Sequence, residues 1–168
     1  VELDVPDTVS SDLALTVPAA AGTIDRLERA GNVLQVVAMS DSTQTTSTAN
    51  SYIDTTITLS ITPQFSSSKV LVMVVAAGLA KRDQNTTGAL QLLRGSTVLS
   101  SIDGQFAYNN STQHIAVASA ALNYLDSPAT TSATTYKVQV KNNGATGDIR
   151  VNWDNNSTSS MVLLEVAA

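Results

Sequence analysis

From Asn32 onward, apolar and polar residues tend to alternate with a period of two. The clearest case is 53–61, where Ile53, Ile57 and Ile61 share one face and Asp54 and Ser60 share the other. Successive side chains of a strand point to opposite faces, so this period predicts β-strands rather than helices. Further strand patterns lie at 88–102, 134–141, 148–153 and 161–166.

Turn signals separate these segments. Pro63 ends the first strand, and Gly95 supplies the backbone freedom that a hairpin turn needs within 88–102. Asn143 and Gly144 together form a strong tight-turn signal. Strands spaced at roughly 8–12 residues are typical of a sandwich or barrel. We therefore predict an all-β fold of about 8–10 antiparallel strands.

Two segments are apolar or small on both faces, 70–77 and 115–122. A central strand buried on both sides within one subunit would show this pattern. A strand whose outer face is covered by a second copy would show it too, so both interpretations stay open. The second predicts a subunit interface, for which we name Ile115, Ala116, Ala118, Ala120 and Leu122.

The first 30 residues have a different character, with Pro6, Pro18 and a run of three alanines. This composition predicts an extended N-terminal arm, 1–30, followed by a sandwich domain, 31–168. A short helix at 23–30, capped by Thr23, would be marginal alone, so the arm is expected to dock on a partner. The residues expected to make that contact are apolar: Leu3, Val5, Leu13, Leu15, Val17, Ile24 and Leu27.

Composition narrows the function classes. The net charge is −5 with nine scattered Lys and Arg residues, which argues against nucleic-acid binding. The absence of cysteine excludes disulfides and a thiol nucleophile. The longest apolar run, 70–77, is far shorter than the ~20 residues of a membrane span, so no membrane contact is expected. The acidic first residues have the wrong charge for a signal peptide.

Candidate chemistry is sparse. The single histidine, His114, follows a polar turn and is expected at a strand edge or interface. Carboxylates stand singly at turn-like positions, where they commonly cap their own backbone: Asp41, Asp83, Asp103, Asp126, Asp148 and Asp154. A calcium-loop pattern at 154–165 fails because Ser159 occupies the position that requires glycine. Trp153 and Tyr136 are expected in the core. The sequence thus predicts no catalytic residue, no cofactor and no metal.

Five segments together resemble a known domain: GNVLQVV (31–37), SSSKVLVMV (66–74), LLRGSTVL (92–99), YLDSPATTSATTYKVQV (124–140) and VLLEVAA (162–168). In order and spacing they are similar to a virion surface domain of tailed bacteriophages, especially those that infect cyanobacteria. The resemblance covers roughly 31–168. It implies a jelly-roll-like β-sandwich, similar to tumour-necrosis-factor and C1q heads, that is usually trimeric and displayed outside the virion. The resemblance brings no catalytic motif.

The arm refines this expectation. Fibre proteins carry such domains at the end of a long shaft, whereas no heptad or Gly-X-Y repeat precedes this one. We therefore expect a non-enzymatic homotrimeric capsid decoration (cement) protein, bound to the major capsid protein on the capsid exterior and made in the host cytoplasm without a signal peptide.

An alternative is a tail-fibre or receptor-binding head that contacts a tail protein and recognises host surface glycans. It would use the polar loops 40–51, 81–88, 103–113 and 153–160. A depolymerase is a third interpretation, which would require a carboxylate pair at glycosidase separation within one pocket.

Overall fold

The structure is a computed structural model that describes residues 29–83, 86–106, 117–144 and 146–168, with the side chains of 103–106 and 117 left out of the description. The seven predicted docking residues of the arm, together with His114, Ile115 and Ala116, lie outside the described residues. Within them the chain forms ten strands and one 3₁₀ turn.

The strands follow one another along the chain with short connections. They are β1 (Val33–Asp41), β2 (Thr45–Ser47), β3 (Ile53–Ile61), β4 (Lys69–Arg82), β5 (Gly88–Arg94), β6 (Thr97–Phe106), β7 (Val117–Asp126), β8 (Thr134–Asn142), β9 (Asp148–Val151) and β10 (Ser159–Val166). The 3₁₀ turn, Trp153–Asn155, lies between β9 and β10.

The strands pair into two antiparallel sheets. Sheet A has the order β1-β10-β4-β9-β2, and β7 pairs with β4 beside this path. Sheet B has the order β3-β8-β5-β6. The two sheets pack as a sandwich, which confirms the predicted all-β fold of about 8–10 antiparallel strands.

The core lies between the sheets and is built from the inward face of each strand. Fully buried side chains come from sheet A, such as Val72 and Leu163, and from sheet B, such as Leu90, Tyr136 and Val138. Burying such side chains contributes about 1.5–3 kcal/mol each relative to leaving them exposed, which is the main favourable term for a fold of this kind.

Several predicted elements are confirmed. The segment 53–61 is one strand, with Ile57 and Ile61 buried and Asp54 exposed. The hairpin predicted at 88–102 is formed by β5 and β6, and Gly95 at its turn has a φ of 56°. Strand β6 continues to Phe106, beyond the predicted end.

The expectation of a core position for Trp153 is corrected by the structure. Strand β9 ends at Val151, and Asn152 turns the chain with a φ of 57°. Trp153 is therefore half-buried in the 3₁₀ turn that follows, although Ile149 and Val151 do lie in the core. The period-two pattern predicted a strand that continues to Trp153. The strand ends earlier because Asn152 adopts the left-handed conformation, which asparagine tolerates.

The turn at Asn143 and Gly144 joins strands of different sheets, since β8 belongs to sheet B and β9 to sheet A. The side-chain oxygen of Asn142 accepts a hydrogen bond of 2.7 Å from the Gly144 N–H, which tightens the start of this connection. The dipeptide signal marks a change of direction, but it does not reveal which sheet receives the next strand.

Gly78 interrupts the longest strand, β4, where the pairing with β7 shifts register between Ala76 and Leu79. Its φ is 57°, and a Cβ there would lie 2.5 Å from the Ser157 hydroxyl oxygen and 2.6 Å from the Trp153 backbone nitrogen. The loop that follows β9 can therefore pack on β4 only because residue 78 has no side chain.

We expect Gly78→Ala to lower the free energy of unfolding by about 2–4 kcal/mol, because it adds overpacking to left-handed strain. Gly95→Ala is the matched control, since its φ is 56° but nothing lies within 4 Å of the added carbon. Strain alone should cost that control about 1 kcal/mol. Urea unfolding followed by circular dichroism measures both, and equal losses would show that the close approach at Gly78 does not exist.

Candidate functional site on the outer face of sheet A

The outer faces of the two sheets differ in chemistry. Sheet B presents a polar face, where the Lys137 ammonium nitrogen lies 2.9 Å from a carboxylate oxygen of Asp54. The Gln139 amide donates to the other oxygen of Asp54 at 2.7 Å, and the hydroxyls of Ser60 and Thr135 are 2.7 Å apart. This is the usual solvent side of an antiparallel sheet.

Sheet A presents an apolar outer face. Its strand register aligns outward side chains in three rows across β1, β10, β4 and β7. The rows are Val36, Leu164, Leu71 and Leu125; then Ala38, Val162, Met73 and Asn123; then Ser40, Ser160, Val75 and Ala121. These twelve side chains are called the apolar face below, and none of them is charged.

The large side chains of the apolar face are substantially exposed. Val36 is 56% exposed, Met73 45%, Val75 46% and Leu125 53%. Leu71, Val162 and Leu164, which lie between them, are half-buried. Of the seven large hydrophobic side chains that are exposed in the described chain, these four are therefore neighbours on one surface.

The area of the apolar face can be compared with the apolar patches found on monomeric proteins. Four strands about 4.8 Å apart, with three rows at two-residue spacing, cover roughly 400 Å² in plan. Patches of about 300–600 Å² are the largest found on monomeric proteins and are often functional. None of the described residues covers the outer face of β4, where Met73 and Val75 are exposed.

The structure describes three of the five predicted interface residues, all on β7, and none of them belongs to the apolar face. Ala118 is exposed, Ala120 is half-buried, and Leu122 lies in the core with 2% exposure. The apolar residues that this strand contributes to the apolar face are Ala121 and Leu125. Sequence reasoning missed them because the strand is apolar on both faces, and such a pattern carries no information about which face points inward.

The apolar positions of β1, β4 and β10 were also not identified as a surface from the sequence. The available signal was that Val162, Leu164 and Val166 alternate with Met161 and Leu163, so that both faces of that strand are apolar. A strand of this kind is expected either in the middle of a molecule or against another one. The distinction requires knowing what covers each face.

The sandwich has two distinct ends. The described chain enters beside its C-terminus, where the Gly31 N–H donates to the Ala167 carbonyl and the Ala167 N–H donates to the Asn32 carbonyl, each at 2.9 Å. This end also carries the connections 62–68 and 127–133 and is called the arm end. The opposite end is called the loop end.

Two of the four polar loops proposed for ligand recognition meet at the loop end. The backbone N–H of Gln44, from loop 40–51, donates to the side-chain oxygen of Asn155, from loop 153–160, at 2.8 Å. Loops 81–88 and 103–113 are described only in part. Asp41 acts as a turn cap here, as expected, because it accepts the Thr43 N–H at 2.9 Å. A hydrogen bond from Thr56, with those from Thr43, lowers the pKa of the Asp41 carboxyl.

Asp126 is a buried carboxylate that joins the two sheets at the arm end. An Arg94 guanidinium nitrogen lies 2.8 Å from each of its oxygens, and the Tyr136 hydroxyl donates to it at 2.7 Å. Burial, together with this hydrogen bond, raises the pKa of the Tyr136 phenol above its usual range. Asp126 was expected to cap a turn, and the structure corrects this expectation. Its carboxylate connects strand β7 of sheet A with strands β5 and β8 of sheet B.

Glu165 is the second buried carboxylate of the arm end, and it was not predicted to face inward. Its oxygens accept the Gln64 N–H at 2.7 Å and the Gln35 amide at 2.6 Å. Burial opposes ionisation, but these hydrogen bonds and that of the Phe65 N–H outweigh it and lower the pKa of the Glu165 carboxyl. Both buried carboxylates therefore hold structure, and neither is arranged as a general acid.

Neither a metal-binding cluster nor a membrane-spanning helix is found among the described residues. No three His, Cys, Asp or Glu side chains in that part of the chain lie where they could hold a metal ion. No helix in the same part of the chain is long and apolar enough to cross a membrane.

Comparison with known proteins gives partial likenesses of fold. No protein-family model matches the chain, and no curated protein is significantly similar to it. The structure of infectious bursal disease virus, Gx strain, is 15% identical with a TM-score of 0.44, and the match covers 80% of this chain and 32% of that one. The VP2 subviral particle of the same virus is 12% identical with a TM-score of 0.41, covering 80% and 37%.

The chain thus spans about a third of the length of these viral chains. Because both TM-scores are below 0.5, the likeness does not bear on function, which must be inferred from the chain's own surfaces.

The lowered pKa of Glu165 predicts a pH dependence of stability. Its contribution is fully present above the unfolded pKa of about 4.3 and is lost as the pH falls through the lower folded value. Glu165→Gln should cost about 1–3 kcal/mol at neutral pH, because an amide nitrogen replaces one acceptor. Its free energy of unfolding should then fall less than that of the wild type between pH 7 and about pH 3. Parallel pH curves in urea unfolding would contradict this assignment.

Proposed function

We propose that this chain is a non-enzymatic structural protein of a bacteriophage virion, a homotrimeric decoration (cement) protein that sits on the capsid exterior and stabilises the shell. The observation that carries the proposal is the uncharged apolar face of sheet A. The resemblance of five sequence segments to phage virion surface domains supports the virion setting.

The apolar face supports self-association for an energetic reason. Apolar area contributes about 25 cal/mol per Å² when removed from water, so several exposed large side chains favour a covered state. A standard interface buries about 800 Å² per partner, which is larger than the plan of the face. A closed ring can reach this interface area, because each copy contributes two different surfaces, one to each neighbour.

The distribution of charge also favours self-association through the apolar face. The chain carries a net charge of −5, so copies repel one another in general. The apolar face holds no charged side chain, and several of its members are small, such as Ala38, Ser40 and Ala121. Small residues let a second β-sheet approach to the ~10 Å at which sheets pack.

The arm would supply the contact with the capsid. Residue 29 enters at the arm end, opposite the polar loops, so an anchor there would point the loop end outward. Three arms on one trimer would act at a high effective concentration and would not need strong single contacts. The docking residues on the arm remain a prediction from its sequence.

Met73→Glu tests the self-association. Met73 lies in the middle row of the apolar face, so in a trimer the new carboxylate would be buried without a partner, at a cost of several kcal/mol. We expect the dissociation constant to rise at least about 100-fold, giving monomers at micromolar concentration in sedimentation velocity.

Ser101→Glu is the control, because Ser101 is exposed on the outer face of sheet B opposite Gln91. It should leave the trimer intact, and circular dichroism should show that both variants are folded. A monomeric wild type at micromolar concentration, or a Met73→Glu trimer, would overturn the proposal.

Gold labelling of intact virions with an antibody to this chain tests the location. We expect label spread over the head, and we expect deletion of residues 2–22 to abolish binding to purified capsids while the trimer persists. Unchanged capsid binding would exclude the arm as the anchor, and absence of label from every particle would exclude a virion protein.

A second candidate function is a receptor-binding head of a tail fibre that recognises host surface glycans. The observation that favours it is the meeting of loops 40–51 and 153–160 at the end away from the arm. Label confined to the tail would select this candidate over the capsid location.

A further inference from the structure

The loop end carries the only tryptophan of the chain, Trp153. Its ring is half-buried, and the Arg150 guanidinium carbon lies 4.7 Å from the ring centroid. Arg150 is itself paired with Asp148, with 2.8 Å between nitrogen and oxygen. One face of the indole is therefore held in place by a cation whose charge is already balanced.

The backbone around Trp153 is held in an uncommon conformation. Asn152, Asp154 and Asn155 all have φ between 55° and 57°, a left-handed conformation that Asn and Asp adopt more readily than other residues with a side chain. Gln44 braces the segment, since its side-chain oxygen accepts the Asp154 N–H at 2.9 Å and its N–H donates to the Asn155 side chain at 2.8 Å. The Asn152 amide donates to the Thr43 carbonyl at 3.2 Å.

This bracing orders the surface before any ligand arrives. A site that is already ordered loses less conformational entropy on binding. Asp154 and Asn156 are exposed in the turn that contains Trp153, with 3.3 Å between the Asn156 amide nitrogen and an Asp154 carboxylate oxygen. The surface thus combines an aromatic ring with a carboxylate and an amide.

The charges of this surface select the kind of ligand. Arg150 is balanced by Asp148, and Asp154 adds a further negative charge. An anionic ligand, such as a phosphate or an acidic sugar, would be repelled. A neutral polyhydroxyl ligand would be accepted, because hydroxyl groups donate to a carboxylate and exchange hydrogen bonds with an amide.

We propose that Trp153, Asp154 and Asn156 form a binding site for a neutral sugar residue of a surface glycan. The indole packs against the C–H face of the sugar ring, Asp154 accepts hydrogen bonds from two adjacent hydroxyls, and Asn156 bonds to a third. Gln44 is a positioning residue that holds the segment. The inference deepens the second candidate function, although it holds for a head or a tail location.

Tryptophan fluorescence of the full chain tests this site directly, since Trp153 is the only tryptophan. The probes are glucose, galactose, mannose, rhamnose and N-acetylglucosamine, each titrated into the tens of millimolar. We expect at least one to give a saturable change of emission with a dissociation constant of about 1 mM or below. Sorbitol, a neutral polyol without a ring, should give no saturable change.

Variants assign the binding to named residues. Asn156→Ala keeps the reporter and should weaken binding about five-fold, the loss of one hydrogen bond. Trp153→Leu removes the ring, so saturation-transfer NMR on the sugar replaces fluorescence, and the signal should vanish. Tyr52→Leu is the matched control, since Tyr52 is another aromatic near the loop end with a cation, Lys141, 4.8 Å from its ring centroid.

Three outcomes would overturn the proposal: no saturable change with any of the five sugars, an unchanged NMR signal in Trp153→Leu, or loss of the signal in Tyr52→Leu instead. Each is independent of the location of the protein on the virion, which gold labelling decides. Failure of the sugar site is therefore distinguishable from failure of the proposed structural role.

Discussion

Strand β4 is the constraint on which the rest of the structure depends, because it pairs with three other strands of sheet A. Its first half lies between β10 and β7, and its last residues pair with β9. The register set by these pairs decides both what enters the core and what lines the outer face. The break at Gly78 lets β9 and its following loop join the sheet, so the loop end also depends on this strand.

The outer faces of the two sheets differ in how well they are solvated by water. Sheet B turns a polar ladder of Asp54, Lys137 and Gln139 to solvent, and such a face needs no partner. Sheet A turns Val36, Met73 and Leu125 outward, and water is a poor solvent for that surface. This asymmetry is the physical basis of the proposed role, in which other molecules cover the outer face of sheet A.

Two buried carboxylates of sheet A have structural roles at the arm end. Asp126 and Glu165 stand in one row across sheet A, on either side of Val70. Each is surrounded by donors, Arg94 and Tyr136 for the first, and backbone N–H groups with an amide for the second. Such charges persist in a core because hydrogen bonds compensate for lost water, and removal of a partner is costly. These two carboxylates stabilise the arm end of the sandwich, from which the proposed anchoring arm extends.

The sequence by itself determined the class of the fold, because a period of two and regularly spaced turn residues report local backbone geometry. It located β3 and the hairpin of β5 and β6, and it flagged 70–77 as apolar on both faces. It could not show which side chains of β7 face inward, so Leu122 was named for an interface although it lies in the core. It also placed Trp153 in the core, since the left-handed turn at Asn152 leaves no signal in a hydrophobic pattern. Only the tertiary structure decided that four strands distant in sequence align their apolar residues on one surface. The reason is that a face is defined by strand register and by what lies across it, and both depend on residues far apart along the chain.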